Sequence, residues 1–452
     1  MMRLNKQPIS VGFISLGCPK NLVDSEIIAD DLLRAGFILA KEPEKSDILI
    51  VNTCAFIADA NKESIASIFY ACELKRRGNL AMVIVAGCMP QRYRGEIQSL
   101  FPDVDAFIGV DKVTRASSVI RRLLNGKRCI KEISPVPRAV INPPPDRIIF
   151  TGAPYTYIKI AEGCNNRCAF CTIPQIRGRY RSRSMASIVK EAEEHLSRGF
   201  RELNLIAQDV TFYGHDLGGK NNLPNLLRQI GRIGGKFWIR LLYGYPDHVG
   251  DDLLVAMAEI PQVCHYLDLP IQHCSTKILR MMGRGGNENT LRMLFGRIRN
   301  ILPDITLRTT CIVGFPGETK NDFGRLVDFI EETGFDHLGV FVFSEEEGTR
   351  AVELPGKVSR RTALQRRGVL MRSQQKNVAL RLTEQIGGFE EIFIEKRKGG
   401  TKHVWISRSR RQSPEIDNLV YLRDYEDKCA SGMFVQARYV KASGYDLIAD
   451  PV

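Results

Sequence analysis

No run of about 18 uncharged apolar residues occurs in the chain, which excludes a membrane-spanning helix. The opening stretch, Met1 to Pro8, has no apolar core of the kind an export signal carries, so the expected location is the cytoplasm. No segment repeats and none is of low complexity, which excludes a solenoid or an array. Neither end carries a basic tail. Histidine is scarce, seven in all. His215, His248 and His265 stand singly in loop-like contexts and point to no metal site. The remaining composition, 44% apolar and 25% charged, is that of a globular protein and excludes whole-chain disorder. A length of 452 residues fits about three domains.

Two features are in excess. The first is charge: 64 Lys and Arg against 51 Asp and Glu, net +13. Such a balance invites a nucleic-acid partner. Its distribution argues otherwise. Residues 1–135 carry a net +4, residues 136–382 a net +9, and residues 383–452 balance at zero. The second feature is twelve cysteines. With no export signal a disulfide framework is not expected, so they read as buried apolar residues, metal ligands or catalytic thiols.

The apolar pattern divides the chain. Up to residue 135, uniformly apolar strands (Ile9–Ser15, Asp47–Val51, Leu80–Ala86, Ala106–Gly109) alternate with helical stretches (Asp24–Ala35, Lys62–Lys75, Thr114–Leu124). Strands apolar on both faces imply a parallel sheet covered on both sides, a doubly wound α/β domain. A linker rich in proline follows at 136–150. From 151 to 382, six strand candidates (Tyr155–Ala161, Glu202–Ala207, Phe237–Tyr243, Tyr266–Leu269, Thr306–Val313, Leu338–Phe343) alternate with helices. They imply a barrel, or an open part of one, whose site lies at the C-terminal ends of the strands. Arg360–Leu382 reads as a long basic helix. Residues 383–452 hold five short β-type stretches and read as a small antiparallel barrel.

Cys164, Cys168 and Cys171 form C-x3-C-x2-C directly after the strand Tyr155–Ala161. Three thiolates on one tight loop suit three irons of a 4Fe–4S cube and leave the fourth iron open to a small molecule. A structural zinc needs four ligands, and His195, within a helix, is a poor fourth. Cys18, Cys54 and Cys88 share no local motif. Each follows a predicted strand of the first domain, so all three can converge at the crevice of the sheet. They then suit a second cluster with one open iron; three unrelated buried cysteines is the alternative. Cys72, Cys129, Cys264, Cys311 and Cys429 read as structural, and Cys274 is not expected to be a ligand.

With Phe170 before its last cysteine, the C-x3-C-x2-C loop resembles the radical S-adenosylmethionine signature. Three further cysteines in a preceding α/β domain and a small, TRAM-like β-barrel at the C-terminus resemble the methylthiotransferase family over essentially the whole chain. Ser15-Leu16-Gly17-Cys18-Pro19-Lys20-Asn21, Pro270-Ile271-Gln272-His273-Cys274-Ser275 and Phe343-Ser344-Glu345-Glu346-Glu347-Gly348-Thr349 resemble the branch that modifies a ribosomal protein rather than the branch that modifies tRNA. Gly314-Phe315-Pro316-Gly317-Glu318-Thr319 is common to both.

The resemblance implies methylthiolation of the β-carbon of an aspartate in a small-subunit ribosomal protein, with two 4Fe–4S clusters and S-adenosylmethionine. The Cys164/Cys168/Cys171 cluster would chelate S-adenosylmethionine and deliver the electron that gives a 5′-deoxyadenosyl radical. The Cys18/Cys54/Cys88 cluster would present sulfur to the carbon radical, and a second S-adenosylmethionine would supply the methyl group. An electron donor such as flavodoxin or ferredoxin and a source of sulfur are implied as well. The rival substrate is an adenosine of tRNA. An iron–sulfur redox or sensor protein is the alternative of another class. RNA contact is not required. Outside the cysteines, Phe170, Gln208, Arg240, Arg308, Gly314, Gly317 and Glu318 are candidate cofactor contacts. An arginine inside a barrel needs an anion; a cofactor carboxylate is one, Asp268 or Glu162 the other. Arg177, Arg179, Arg181 and Arg183 alternate, which on an extended segment puts them on one side, toward a target carboxylate, rRNA or solvent.

Overall fold

The computed structural model describes residues 8–219 and 222–452; all but the last residue of the stretch read for an export signal lies outside them. The first sheet has six parallel strands in the spatial order Ile38–Leu39, Ser10–Ser15, Ile48–Thr53, Met82–Gly87, Ala106–Ile108, Ile130–Glu132. The three strands that precede Cys18, Cys54 and Cys88 are therefore neighbours. Ile48–Thr53 is buried throughout, as a strand covered on both faces must be. The helix after the first strand runs from Pro19 to Arg34, five residues earlier than periodicity suggests. Pro19 explains the early start: its fixed φ suits the first helical position, and Cys18 becomes the N-cap. Two short edge strands, Ile38–Leu39 and Ile130–Glu132, carry too few residues for a period to show.

The second sheet is also six-stranded and parallel, in the order His337–Val342, Thr306–Val313, Val263–Asp268, Trp238–Leu242, Glu202–Ile206, Tyr155–Lys159. Its end strands do not pair, so the barrel stays open. Helices cover its outer face and form the largest apolar core with it. The C-terminal barrel is closed by five strands, Phe389–Arg397, Val404–Arg408, Val420–Arg423, Asp446–Pro451 and Phe434–Ser443. It is not wholly antiparallel, because Val420–Arg423 and Asp446–Pro451 run parallel. No helix among the described residues is long and apolar enough to cross a membrane.

The proline-rich linker is no loose spacer. Arg147 is fully buried in it. It donates to Glu26 of the first domain (3.0 Å), to Glu191 of a barrel helix (2.5 Å) and to the Tyr157 carbonyl (3.1 Å). His195 lies in the same buried cluster, 3.5 Å from Glu191, and is no ligand of the cysteine loop. Replacing Arg147 by Leu leaves two buried carboxylates short of a partner. We expect a loss of about 3 kcal/mol, since breaking a buried pair costs more than the pair itself contributes. A lowered urea midpoint with unchanged slope checks this.

A second junction fills the open barrel's concave face. The loop between Val404–Arg408 and Val420–Arg423 of the small barrel lies against it. Glu415 accepts from Tyr155 (2.9 Å) and Tyr157 (3.3 Å), and Asp417 from Tyr266 (2.7 Å). This loop meets two of the candidate arginines, and for Arg240 it corrects the expected partner. Arg240 is fully buried, bound to Glu202 at 2.8 Å and to the Arg410 carbonyl at 2.8 Å. Its anion is thus neither a cofactor nor Asp268 nor Glu162. Arg308 pairs with Asp417 at 2.8 Å and lies 3.6 Å from Asp268. Both arginines anchor the small barrel, because that loop brings carboxylates and carbonyls to the inner face.

Candidate functional site

The C-terminal ends of the two sheets face each other, and each presents one cysteine set. On the first sheet, Asn21 draws the strand ends together. Its amide donates to the Leu16 carbonyl (3.0 Å) and the Thr53 carbonyl (2.8 Å), and its Oδ1 faces the Cys88 sulfur at 3.5 Å. Gly17 has φ +89°, and a Cβ there would stand 2.7 Å from the Cys54 Cβ and 3.1 Å from its sulfur. Only glycine lets the loop pass so close to that thiol.

Cys54 and Cys88 feel the Cys18 charge, and the three thiols are shifted unequally. Burial would raise Cys18, yet Lys20, Arg177 and the N–H groups of Asn21 and Lys20 outweigh it and hold the thiol below its ordinary value. Burial raises Cys54, and it pushes Cys88 up to about 12 despite Arg177.

The second set lies on the loop after Tyr155–Lys159. Burial pushes Cys164 up to about 11 and Cys171 to about 12, with the neighbouring thiols adding to each shift. The Ile173 N–H donates to the Cys171 sulfur at 3.4 Å, and the Arg284 guanidinium stands 3.7 Å from Cys168. Asp209 holds the loop from the next strand end by accepting from Asn166 at 3.0 Å.

Among the described residues, no three His, Cys, Asp or Glu side chains converge as ligands of one metal ion would. A four-iron cube asks for a different arrangement, since each thiolate takes its own iron. The donor chemistry fits such a group. Thiols raised by burial are inert alone, and a bound metal is what deprotonates them. At the mouth of the open barrel both polar atoms of the Gln208 amide are buried, and among the described residues nothing bonds them. That suits a polar cofactor arriving there.

Arg177 connects the two sets. It ends the short helix Ile173–Arg177, just past Cys171. It reaches Asn21 (2.8 Å), Asp24 (2.8 Å) and the Cys88 sulfur (3.7 Å) in the first domain, and Glu162 (3.1 Å) in its own. Lys159 completes the fully buried cluster at 2.5 Å from Asp24 and in contact with Glu162. Burial works against the Glu162 charge, but Lys159 and Arg177 prevail and hold it down to about 2.

The alternating arginines therefore do not share one side. Arg177 is helical and buried, Arg183 is buried against Glu191, Arg181 is half-buried, and Arg179 alone is exposed. Helix and ion pairs override the extended pattern. Sequence reasoning passed over Lys20, Asp24 and Lys159. The signal was present in Lys159, a charge inside an otherwise apolar strand.

Other candidates gather at the turn after Thr306–Val313. Gly314 and Gly317 have positive φ, and a Cβ on either would meet Ala363 Cβ at 2.4 Å or Met281 Cε at 2.8 Å. The Glu318 carboxylate accepts from the Gly314 N–H and pairs with Arg366 at 2.9 Å. The two glycines build the turn, whereas the other Glu318 oxygen, Oε1, is buried with no hydrogen-bond partner among the described residues, 3.7 Å from His273 Nε2. Phe170 packs edge-on to Phe315 of that turn, 6.5 Å between ring centres. Cys274 and Cys311 are buried in the barrel core, whereas Cys129 is exposed at φ +52°, not a packed residue.

Comparison with known proteins places three units along the chain. Residues 10–109 match the uncharacterized protein family UPF0004, residues 158–330 the radical SAM superfamily and residues 386–452 the TRAM domain. The ribosomal protein uS12 methylthiotransferase RimO of Syntrophus aciditrophicus is 44% identical, with 98% of each chain covered. That of Geobacter sulfurreducens is 42% identical over 97% of this chain and 98% of its own. Among solved structures, the radical S-adenosylmethionine methyltransferase TsrM of Kitasatospora setae, with tryptophan substrate and an S-adenosylmethionine analogue bound, superposes with a TM-score of 0.56 at 14% identity. It covers 94% of this chain and 82% of its own, a likeness of fold alone.

Proposed function

The chain belongs to the RimO family of radical S-adenosylmethionine methylthiotransferases, and from that membership we propose that it adds a methylthio group to the β-carbon of an aspartate in ribosomal protein uS12. It is an enzyme of the cytoplasm in this reading, and it works with two 4Fe–4S clusters, one on Cys164, Cys168 and Cys171 and an auxiliary one on Cys18, Cys54 and Cys88. A flavodoxin or ferredoxin supplies electrons, and a separate source supplies sulfur. The observation that carries the proposal is the opposition of the two cysteine sets across one buried interface, joined by Arg177.

When bound, the clusters and S-adenosylmethionine supply electron transfer, a hydrogen-abstracting radical and activated sulfur. The chain's own residues position and seclude that chemistry. The Lys159, Asp24, Glu162 and Arg177 cluster excludes water from the interface and fixes the distance between the two loops. Arg284 and the Ile173 N–H face the sulfurs of one set; Arg177 and the start of the helix Pro19–Arg34 face the other. Such donors stabilise negative charge on sulfur and tune the group it binds. The unpartnered Gln208 amide is the polar group assigned to S-adenosylmethionine in this reading.

The test uses anaerobically loaded enzyme, uS12 deuterated at the aspartate β-carbon, S-adenosylmethionine, sulfide and a reductant. The expected result is deuterium in the 5′-deoxyadenosine and a methylthio group on that aspartate by tandem mass spectrometry. Deuterium-free 5′-deoxyadenosine alongside modified uS12 would place the abstraction elsewhere.

A further inference from the structure

Lys20 is only 7% exposed, yet among the described residues its ammonium has no hydrogen bond and no ion pair. It lies over the ring of Tyr243, 3.2 Å from the ring centre. That contact crosses the interface, because Lys20 follows Cys18 while Tyr243 follows the barrel strand Trp238–Leu242. Charged groups facing it are Cys18, Cys88, Arg177 and Asp268. The nearest carboxylate is already engaged: Asp268 accepts from the Tyr243 N–H at 3.0 Å and lies beside Arg308.

A buried ammonium is costly without an anion, and an aromatic face offsets only part of that cost. The Lys20 charge helps to hold the Cys18 thiol down, yet among the described residues no hydrogen bond joins its ammonium to a sulfur. Cys88 has Arg177, and Cys18 also has the backbone N–H groups of its helix. The ammonium itself rests on the Tyr243 ring at the barrel mouth. The position suits a negative group that arrives with the substrate.

We propose that the Lys20 ammonium binds the carboxylate of the target aspartate, and so selects a carboxylate-bearing substrate and holds its β-carbon between the two cysteine sets. This rests on the reading that the substrate is an aspartate of uS12. The carboxylate gives the ammonium the hydrogen-bonded anion it does not have among the described residues, while the Tyr243 ring keeps it in place before substrate arrives. A neutral amide in the same position would leave the lysine uncompensated.

The experiment measures binding of uS12, and of uS12 with the modified aspartate changed to Asn, to cluster-loaded enzyme by calorimetry, with iron content and EPR spectra taken on the same samples. Wild-type enzyme should prefer the aspartate form by about 100-fold, the scale of a buried charge pair broken on one side. Lys20→Gln should weaken binding of the aspartate form by about that factor and leave the asparagine form unchanged, so that the preference collapses. Lys20→Arg should keep most of it. A Lys20→Gln enzyme that still prefers the aspartate form overturns the proposal. So does loss of the auxiliary cluster signal in Lys20→Gln, which would assign the lysine to the cluster. Wild-type enzyme that leaves uS12 unmodified overturns instead the functional reading beneath the proposal.

Discussion

Changing Cys164, Cys168 and Cys171 together to Ala abolishes 5′-deoxyadenosine formation and leaves about four of about eight irons in the reconstituted enzyme. The expected loss is complete rather than partial, because all three thiols proposed to hold that cluster are removed at once. A single substitution is a weaker test, since two remaining thiolates retain part of a cluster. The surrounding fold should survive. Cys164, Cys168 and Cys171 lie on an irregular loop and are each partly exposed, outside the main apolar core. Iron determination and detection of 5′-deoxyadenosine after dithionite reduction check both halves. Reductive cleavage of S-adenosylmethionine by the triple variant would show that the radical chemistry belongs to other residues.

The complementary variant, Cys18, Cys54 and Cys88 to Ala, should keep that cleavage and lose transfer of the methylthio group entirely. The asymmetry follows from the architecture. The two sets stand on different sheets and different loops, so removing one leaves the ligands of the other in place. Some cost in stability is expected here, because Cys54 and Cys88 are buried among the strand ends. Two buried Cys→Ala changes amount to about 2 kcal/mol or less, too little to unfold a domain with this core. Half the iron, retained 5′-deoxyadenosine and unmodified uS12 is the expected combination. Modified uS12 from this variant would remove the auxiliary set from the reaction.

The parts of this arrangement that local patterns encode were legible in the sequence. Cys164, Cys168 and Cys171 share one loop, and uniformly apolar strands such as Ile48–Thr53 declare a covered parallel sheet. Cys18, Cys54 and Cys88 needed one more step: they become a set only once parallel strands are aligned by their ends. What remained hidden depends on which domain surfaces meet. Arg240 and Arg308 look like cofactor contacts until the small barrel supplies Asp417 and the Arg410 carbonyl. Arg147 looks like part of a spacer until two domains offer it Glu26 and Glu191.

Charge behaves the same way. The C-terminal barrel sums to zero, yet Glu395 and Asp417 are buried in ion pairs, while Lys396, Arg397, Lys398 and Lys402 are exposed. The neutral total therefore does not describe that surface and does not favour a protein substrate over RNA. Family membership carries the substrate assignment instead.

The central claim is the substrate, and one comparison tests it most directly: mass spectrometry of uS12 and of tRNA from a strain deleted for this gene. The account predicts that the methylthio group disappears from the uS12 aspartate while methylthio-adenosine persists in tRNA. Loss of the tRNA modification with the uS12 aspartate still methylthiolated would contradict it.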